Sequence, residues 1–213
     1  MAPLSNTVST SDLQTFEDVY PDYPSVLYRI VLNSWQSRLG ETVDSFYEKV
    51  LADINFENKY KQTLLHFMVG STSDLKMLLA RGANVNHVDG RGYTPLVDAI
   101  NYGRSLEHLQ MLIDHGATLH GSDGPALSHA CVVADLAVVK LLLNAGADIE
   151  EQCRLERTPL FYALMGLNPE VNTQILLDAG ADPNVMDFYG KTPYTYGLVE
   201  NEDGTYSYVK PKA

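Results

Sequence analysis

The chain repeats a short pattern about every 33 residues, and this repetition constrains its fold more than any other feature. A Gly-Ala pair occurs four times, with spacings of 34, 30 and 34 residues, beginning at Gly82, Gly116, Gly146 and Gly180. A second mark recurs between the pairs, as Thr63-Leu64-Leu65, Thr94-Pro95-Leu96, Pro125-Ala126-Leu127, Thr158-Pro159-Leu160 and Thr192-Pro193-Tyr194. Because the two marks recur in phase, one supersecondary unit is being reused. We number the repeats 1 to 4 by their Gly-Ala pairs.

Each repeat has the residues of two consecutive helices. A Thr-Pro pair favours a helix start, because the Thr side chain can accept a bond from a free backbone N–H and Pro suits the first helical position. The second helix carries apolar residues at 3–4 spacing, as in Leu136, Val139 and Leu142. It ends at the Gly of the Gly-Ala pair, where a left-handed C-cap is expected. Turn residues such as 89–92 and 187–190 then predict a protruding hairpin loop, which we call a finger.

This pattern resembles the ankyrin repeat, which is a β-turn followed by two antiparallel helices. The resemblance covers roughly residues 52–197. It implies an all-α fold, an ankyrin-repeat solenoid of stacked helix pairs with β-hairpin fingers. It also implies that the ring of His66 hydrogen-bonds to the backbone and steadies the turn at the start of repeat 1.

The two ends of the array are predicted to differ from the repeats, because a solenoid must close its terminal apolar faces. Residues 1–23 are predicted to be a polar tail, and residues 24–58 a degenerate N-capping helix pair, Ser25–Leu39 and Glu41–Leu51, with the first linker. The array itself is assigned to residues 59–197. Residues 198–213 are predicted to be a C-terminal cap or tail, and a short hairpin over Tyr194–Val209 fits their Tyr, Val and Thr content.

Repeat 3 departs from the others in its turn, which reads His120-Gly121-Ser122-Asp123-Gly124. The turn is shorter than its counterparts, so the finger of repeat 3 is predicted to be stunted. Repeat 1 also departs, since Leu64 stands where the other repeats have Pro. These departures favour a specialised surface over a consensus scaffold.

Composition limits the compartment and the partners. The chain has 213 residues and a net charge of −12, which disfavours binding to nucleic acid or to an anionic membrane. No run approaches the ~20 continuous apolar residues of a membrane helix, and residues 1–12 lack the features of a secretory signal. Two cysteines are too few for a disulfide scaffold. We therefore expect a cytoplasmic protein that binds no membrane and no nucleic acid. We also expect a monomer, because the ends of the array are predicted to be capped.

No catalytic, metal or cofactor site is predicted. Gly190-Lys191-Thr192 resembles the end of a phosphate loop, but the glycine required five residues earlier is Val185. His115 and His120 flank one turn, but no further ligand has the spacing of a metal site. Cys131 takes the place of a small core residue, so a buried and unreactive thiol is expected.

The resemblance also implies where a partner would bind. In ankyrin repeat proteins the binding face is usually concave and is formed by the finger tips and the exposed side of each first helix. Carried onto this chain, that face consists of Arg91, Tyr93, Asn101, Tyr102, Val132, Val133, Arg154, Leu155, Arg157, Met165, Phe188, Tyr189 and Lys191. This set is rich in the residue types enriched at interface cores and hot spots.

Three functions stay open from the sequence. The first is a non-catalytic protein–protein interaction module that binds a protein partner, which the acidic charge predicts to be basic, through the concave face. The second is a stoichiometric inhibitor, of the antitoxin or immunity type, that covers the active site of a basic enzyme or toxin. The third is an enzyme with a site in residues 1–58 or 198–213, and those short segments are already accounted for as caps.

Overall fold

The computed structural model describes residues 53–67, 72–121, 124–133 and 136–211. The predicted tail 1–23 and the predicted helix pair within 24–51 lie outside the described residues. The chain divides into two compact units, Met1–Asn84 and Val85–Ala213, and each is described by itself.

In the first unit, the described residues form a 3-10 helix, Leu64–Phe67, and helix α1, Thr72–Ala80. The Nδ1 atom of His66 accepts a hydrogen bond from the backbone N–H of Thr63 at 3.1 Å. This bond confirms the predicted role of the histidine ring. Among the described residues of repeat 1, the 3-10 helix Leu64–Phe67 lies where repeats 2 to 4 have their first α-helix.

The second unit contains three complete helix pairs. Their first helices are α2 (Pro95–Asn101), α4 (Ala126–Val133) and α6 (Pro159–Met165), and their second helices are α3 (Leu106–Asp114), α5 (Leu136–Asn144) and α7 (Pro169–Asp178). The first helices contact one another in chain order, and so do the second helices. The predicted stack of helix pairs is thus confirmed for this unit. Among the described residues, no helix combines the length and the apolar character that a membrane crossing requires.

The leucine that ends each Thr-Pro-Leu or Pro-Ala-Leu tripeptide builds the core of this stack. Leu96, Leu127 and Leu160 are all fully buried, as is Phe161. One leucine per first helix thus gives the row of first helices a continuous apolar interior, which is where most of the stabilising burial of a repeat array arises.

The starts of the first helices match the prediction in part. The side chain of Thr94 accepts a bond from the N–H of Val97 at 3.4 Å and caps α2, as expected. Thr158 and Thr192 make no such side-chain bond. The N–H groups that these side chains would cap are bonded to the backbone instead. The N–H of Phe161 donates to the carbonyl of Thr158 at 3.1 Å, and the N–H of Thr195 donates to the carbonyl of Thr192 at 2.9 Å. The Thr side-chain caps at these two positions were therefore wrongly predicted.

The Gly-Ala pairs end the second helices as predicted. The four glycines have φ angles of 82°, 85°, 88° and 98°, for Gly82, Gly116, Gly146 and Gly180 in turn. After each glycine, the alanine N–H bonds to a leucine carbonyl five residues back, at 2.9 to 3.0 Å, from Ala83, Ala117, Ala147 and Ala181. This is the Schellman arrangement, which requires a left-handed residue that glycine supplies without strain.

A short hairpin takes the place of a further second helix at the C-terminal end. A second 3-10 helix, Pro193–Tyr196, leads into strand β1, Leu198–Glu200, which pairs antiparallel with β2, Tyr206–Tyr208. Strand β2 contacts α7, so the hairpin covers the side of the last helix pair. The predicted hairpin is confirmed, with strands shorter than the predicted span of 194–209.

Candidate functional site

Four fingers share one turn geometry. They span 58–62, 89–93, 153–157 and 187–191, and in each the first N–H bonds to the fifth carbonyl at 2.8 to 3.1 Å. In three of them the first residue is Asn58, Asp89 or Asp187, whose side-chain oxygen accepts the N–H groups two and four residues later. The finger turns are therefore held from within by an acceptor at their first position.

The fourth residue of every one of these fingers has a left-handed backbone. Gly92 and Gly190 have φ angles of 90° and 69°, whereas Lys61 and Glu156 reach 58° and 56° with a side chain attached. Left-handed conformations cost a non-glycine residue about 1 kcal/mol or more. Repeat 4 thus contains a strained finger, 153–157, and this finger also carries the predicted partner-binding residues Arg154, Leu155 and Arg157.

We expect Glu156→Gly to raise the free energy of unfolding by about 1 kcal/mol, because glycine adopts this backbone without the steric cost. The matched variant is Gly190→Ala, at the same finger position, which should lower it by a similar amount. No atom lies within 4 Å of the Cβ that alanine would add at Gly190, so that loss reports backbone strain alone. Urea unfolding of both variants measures the pair, and equal signs for the two changes would contradict the shared geometry.

Arg91 ties its finger to the first helix of repeat 2. Its Nε donates to Asp89 at 2.8 Å, and its Nη2 donates to both carboxylate oxygens of Asp98 at 2.7 and 2.9 Å. Asp98 is 1% exposed, and burial raises the pKa of its carboxyl to about 6 against the attraction of Arg91. Burial would also raise the pKa of Asp89, but the N–H groups of Tyr93 and Arg91 and the guanidinium lower it. Arg91 was predicted to face a partner. In the structure, its Nε and Nη2 donate to two carboxylates of the same repeat, those of Asp89 and Asp98.

Arg157 is held in a similar way by the following finger. Its Nε donates to Asp187 at 3.1 Å, and its Nη2 donates to the hydroxyl oxygen of Tyr196 at 2.8 Å. The Tyr196 hydroxyl in turn donates to Asp187 at 3.0 Å, and the guanidinium lies over its ring. The Arg157 side chain is only 16% exposed. This predicted site residue therefore connects two fingers and the second 3-10 helix.

The structure brings four of the predicted site residues together around one pocket of about 250 Å³. Among the described residues, its lining consists of Tyr93, Asn101, Gly124, Ser128, His129, Val132, Val133 and Tyr162. The rings of Tyr93 and His129 meet edge to face with centroids 5.0 Å apart, and His129 Nδ1 lies 3.3 Å from Asn101 Oδ1. We call this space the repeat-3 pocket, since α4 supplies half of its lining.

Four residues of this lining, Gly124, Ser128, His129 and Tyr162, were not predicted from the sequence. The two with ring side chains are His129 and Tyr162. A signal for these two rings existed, because His129 and Tyr162 each lie two residues after the repeated leucine (Leu127 and Leu160), as Asp98 lies two residues after Leu96. In repeat 4 that register position contacts its own finger, since the Tyr162 hydroxyl lies 3.0 Å from the Cys153 sulfur. The position is therefore the one from which a first helix reaches toward the fingers.

The remaining predicted residues lie at finger tips or helix ends and are exposed. They are Tyr102, Arg154, Leu155, Met165, Phe188, Tyr189 and Lys191. Phe188 and Tyr189 are 64% and 62% exposed and pack edge to face with centroids 5.4 Å apart. The N–H of Phe188 donates to the carbonyl of Leu155 at 2.9 Å, which places the tips of two fingers side by side. These tips form an apolar patch in contact with solvent, a feature that often marks an interaction site.

The cysteines and histidines differ in their surroundings. Cys131 is fully buried, and burial raises the pKa of its thiol to about 12, as its predicted inertness requires. Cys153 is half-buried at the finger position that Asp89 holds in repeat 2. The Nδ1 atom of His115 lies 2.8 Å from the carbonyl oxygen of Met111, at the end of α3. The Nδ1 atom of His120 lies 2.6 Å from a carboxylate oxygen of Glu151. Within the described part of the chain, no three His, Cys, Asp or Glu side chains are grouped to hold a metal ion.

Comparison with known proteins identifies related sequences. The family model described as ankyrin repeats (3 copies) matches residues 34–123 and 127–209. An ankyrin repeat protein of Acanthamoeba polyphaga mimivirus is 27% identical over 197 residues, and the match covers 90% of this chain and 23% of the viral protein. The ankyrin repeat protein YahD of Escherichia coli is 26% identical over 181 residues, covering 66% of this chain and 90% of that protein.

A third relative carries a more specific name. NF-kappa-B inhibitor alpha of Gallus gallus is 30% identical over 192 residues, which cover 76% of this chain and 60% of the chicken protein. The chain thus spans nearly all of the bacterial relative but less than a quarter of the mimivirus protein.

Proposed function

We propose that this chain, which belongs to the ankyrin repeat family, binds a protein partner through the surface formed by its fingers and first helices and catalyses no reaction itself. Ankyrin repeats are protein–protein interaction modules, and the proteins of this family are generally non-catalytic scaffolds. The partner and the exact surface are our proposal.

One observation carries the choice of surface. Tyr93, Asn101, Val132 and Val133 were assigned to the binding face individually, and they come from two different repeats. They nevertheless line one pocket, which opens on the first helices. A pocket that several repeats build together is a typical anchor for an interface hot spot.

The exposed finger tips support the same surface. Phe188 and Tyr189 supply two large rings whose side chains are mostly in contact with solvent. Aromatic side chains contribute a large contact area on binding, and they are enriched at hot spots. The apolar patch at the finger tips, Phe188 and Tyr189, offers the partner an aromatic contact area, and the repeat-3 pocket offers it an anchor point.

Affinity capture from the lysate of the source cell, followed by mass spectrometry, tests this proposal. Val132→Ser and Tyr189→Ala should each lower retention of the captured protein by roughly 10-fold or more, the usual effect of a hot-spot change. Leu106→Ser and Val171→Ser are the matched controls, because Leu106 and Val171 are exposed apolar residues on second helices. Retention lost equally in the controls, or unchanged in all four variants, would contradict the assigned surface.

A second candidate function is stoichiometric inhibition of a basic enzyme or toxin. Two observations favour it, the net charge of −12 and the similarity to a relative named as an inhibitor of NF-kappa-B. Charge complementarity accelerates encounter and weakens with added salt. An inhibitor should abolish the activity of the captured protein and release it at high salt, whereas an adaptor should keep its partner active and retain it at high salt.

A further inference from the structure

Consecutive linkers of the array are joined by one amide side chain. Asn86 ends the linker after repeat 1, and its Oδ1 atom accepts the N–H of Thr118 in the linker after repeat 2 at 2.7 Å. Its Nδ2 atom donates to the carbonyl of Gly116, two residues before Thr118, at 2.9 Å. Asn55 makes the same two bonds one repeat earlier along the chain, at 2.6 and 3.3 Å. We call this pair of bonds a linker tie, and it uses one acceptor and one donor at the end of the same side chain.

Glu150 holds the corresponding position before repeat 4. Glu150 and Asn86 each lie four residues after the glycine of a Gly-Ala pair. The Oε1 atom of Glu150 accepts the N–H of Asp182 at 2.7 Å, so the acceptor half of the linker tie is present. Two residues before Asp182 lies Gly180, whose carbonyl corresponds to the one that Asn86 binds.

The donor half of this tie depends on the protonation of Glu150. Its Oε2 atom is buried and has no hydrogen-bond partner among the residues that the structure describes. An ionised carboxylate can only accept hydrogen bonds, whereas a protonated one also has an O–H donor. Leaving a buried polar atom without a partner is costly. The protonated carboxyl therefore has the same donor and acceptor pair as the amide of Asn86.

The surroundings of Glu150 favour its protonated form. Burial raises the pKa of Glu150, although the bond from the N–H of Asp182 lowers it. The carboxylates of Asp182 and Asp148 repel a negative charge on Glu150 and raise its pKa further. The neighbouring carboxylate of Glu151 lies 2.6 Å from the Nδ1 atom of His120. Protonation of Glu150 therefore begins at a higher pH than for a glutamate in water.

We propose that Glu150 is a proton-controlled tie between the linkers before and after repeat 4. When protonated, its carboxyl donates from Oε2 to the carbonyl of Gly180 and still accepts the N–H of Asp182 at Oε1. When ionised, it keeps only the bond from Asp182. The junction is therefore held by two bonds at acidic pH and by one at neutral pH.

This tie lies in the two linkers that lead into exposed fingers. The linkers are followed by the fingers 153–157 and 187–191. The N–H of Phe188 donates to the carbonyl of Leu155 at 2.9 Å and joins the tips of these fingers. Protonation of Glu150 thus fixes the bases of two fingers that are already joined at their tips. The tie is a property of the array itself, so its test needs no partner and its failure leaves the proposed function unaffected.

An NMR titration of the full chain tests the tie directly. We expect the carboxyl carbon of Glu150 and the carbonyl carbon of Gly180 to shift with one common midpoint as the pH falls from about 8 to about 4. The carbonyl carbon of Gly116 is the internal control, because the amide of Asn86 binds it at every pH. In Glu150→Gln, the resonance of Gly180 should stay at its low-pH position throughout. A Gly180 resonance that does not move while Glu150 titrates would overturn the inference.

Stability gives a second measurement. A carboxyl whose folded-state pKa lies above its unfolded value stabilises the fold when protonated, so this contribution is complete at low pH and is lost as the pH rises through the folded-state pKa. Glutamine supplies the donor at every pH. We therefore expect Glu150→Gln to lower the unfolding equilibrium constant roughly 5-fold at about pH 8, the usual net effect of one hydrogen bond, and progressively less as the pH falls toward about 4.

Two further variants separate the proposed bond from other causes. Glu150→Met removes the same charge but has neither the donor nor the acceptor, so it should unfold more readily than Glu150→Gln at every pH. Glu202→Gln is the matched control, because Glu202 is exposed in the turn between β1 and β2, and its small effect should not change with pH. Equal stabilisation by Gln and Met at position 150 would show that relief of repulsion from Asp148 and Asp182 is the cause, and would overturn the inference.

Discussion

Replacing Arg91 with alanine is expected to lower the free energy of unfolding by about 2 kcal/mol near neutral pH. This lies between the costs of breaking an exposed and a buried ion pair, because Asp98 is buried whereas the Arg91 side chain is 45% exposed. The loss follows from Asp98, which is 1% exposed and receives both of its charged hydrogen bonds from Arg91 Nη2. Without the guanidinium, the carboxylate stays buried and has lost these bonds. Urea unfolding of the two proteins gives the difference directly.

The same variant has a predicted pH dependence. Burial raises the pKa of Asp98 to about 6, and loss of the opposing attraction of Arg91 should raise it further. A carboxyl whose folded-state pKa lies above its unfolded value favours the folded state when protonated, so stability is lost as the pH rises through the folded pKa. The deficit of Arg91→Ala should therefore be smaller at about pH 5 than at about pH 8.

A double-mutant comparison isolates the pair. Asp98→Asn removes the buried charge, so the combination Arg91→Ala with Asp98→Asn should recover part of the loss and remove the pH dependence of the remainder. A deficit that is small and independent of pH would show that the ion pair contributes little. Because Arg91 also shapes its finger, binding measurements on Arg91→Ala need the same stability data beside them.

The helix framework could be predicted because its signals are local. A glycine after an amphipathic segment needs only its immediate neighbours to form a left-handed cap, and Gly82 and Gly116 adopt it as expected. The leucine of each opening mark lies in the core for a similar reason, since its spacing places it on the buried side of every first helix. Residue type and period were sufficient for both.

The roles of the arginines could not be predicted in this way. Arg91 and Arg157 have the residue type of an interface hot spot, yet their donors are bonded to carboxylates within the same chain. For Arg157 that carboxylate is Asp187, 30 residues away. Only the packing of adjacent fingers brings such groups to within hydrogen-bond distance. An arginine on a finger is therefore a weaker indicator of a partner than an exposed aromatic residue is.

The repeat-3 pocket could be predicted from the sequence only in part. The shortened turn of repeat 3 was visible in the spacing, and Val132 and Val133 were assigned to the binding face from their register. Neither observation alone shows that the two valines share a pocket with Tyr93 and Asn101. His129 then follows from the register of Asp98, but the size of the space depends on how Tyr93 and Tyr162 pack across it.

Replacing Gly166 with alanine is expected to cost about 3 kcal/mol or more, because the added Cβ meets backbone that cannot move alone. An ideal Cβ at Gly166 would lie 2.2 Å from the carbonyl oxygen of Cys131 and 3.1 Å from the Cα of Val132. The φ angle of Gly166 is −79°, so the cost is steric and not conformational. Urea unfolding of the variant and of the unmodified chain measures the change.

The backbone at Gly166 lies close to the backbone of Cys131 and Val132 because the end of α4 is hydrogen-bonded to repeat 4. The carbonyl of Val132 accepts the N–H of Leu167 at 3.1 Å, and that of Cys131 accepts the side-chain amide of Asn172 at 3.2 Å. Gly103→Ala is the control, because its left-handed φ of 63° costs about 1 kcal/mol while no atom lies within 4 Å of its added Cβ. A loss at Gly166 no larger than at Gly103 would contradict the close contact. A larger loss would show that the close backbone contact at the junction of repeats 3 and 4 leaves no room for a side chain at position 166.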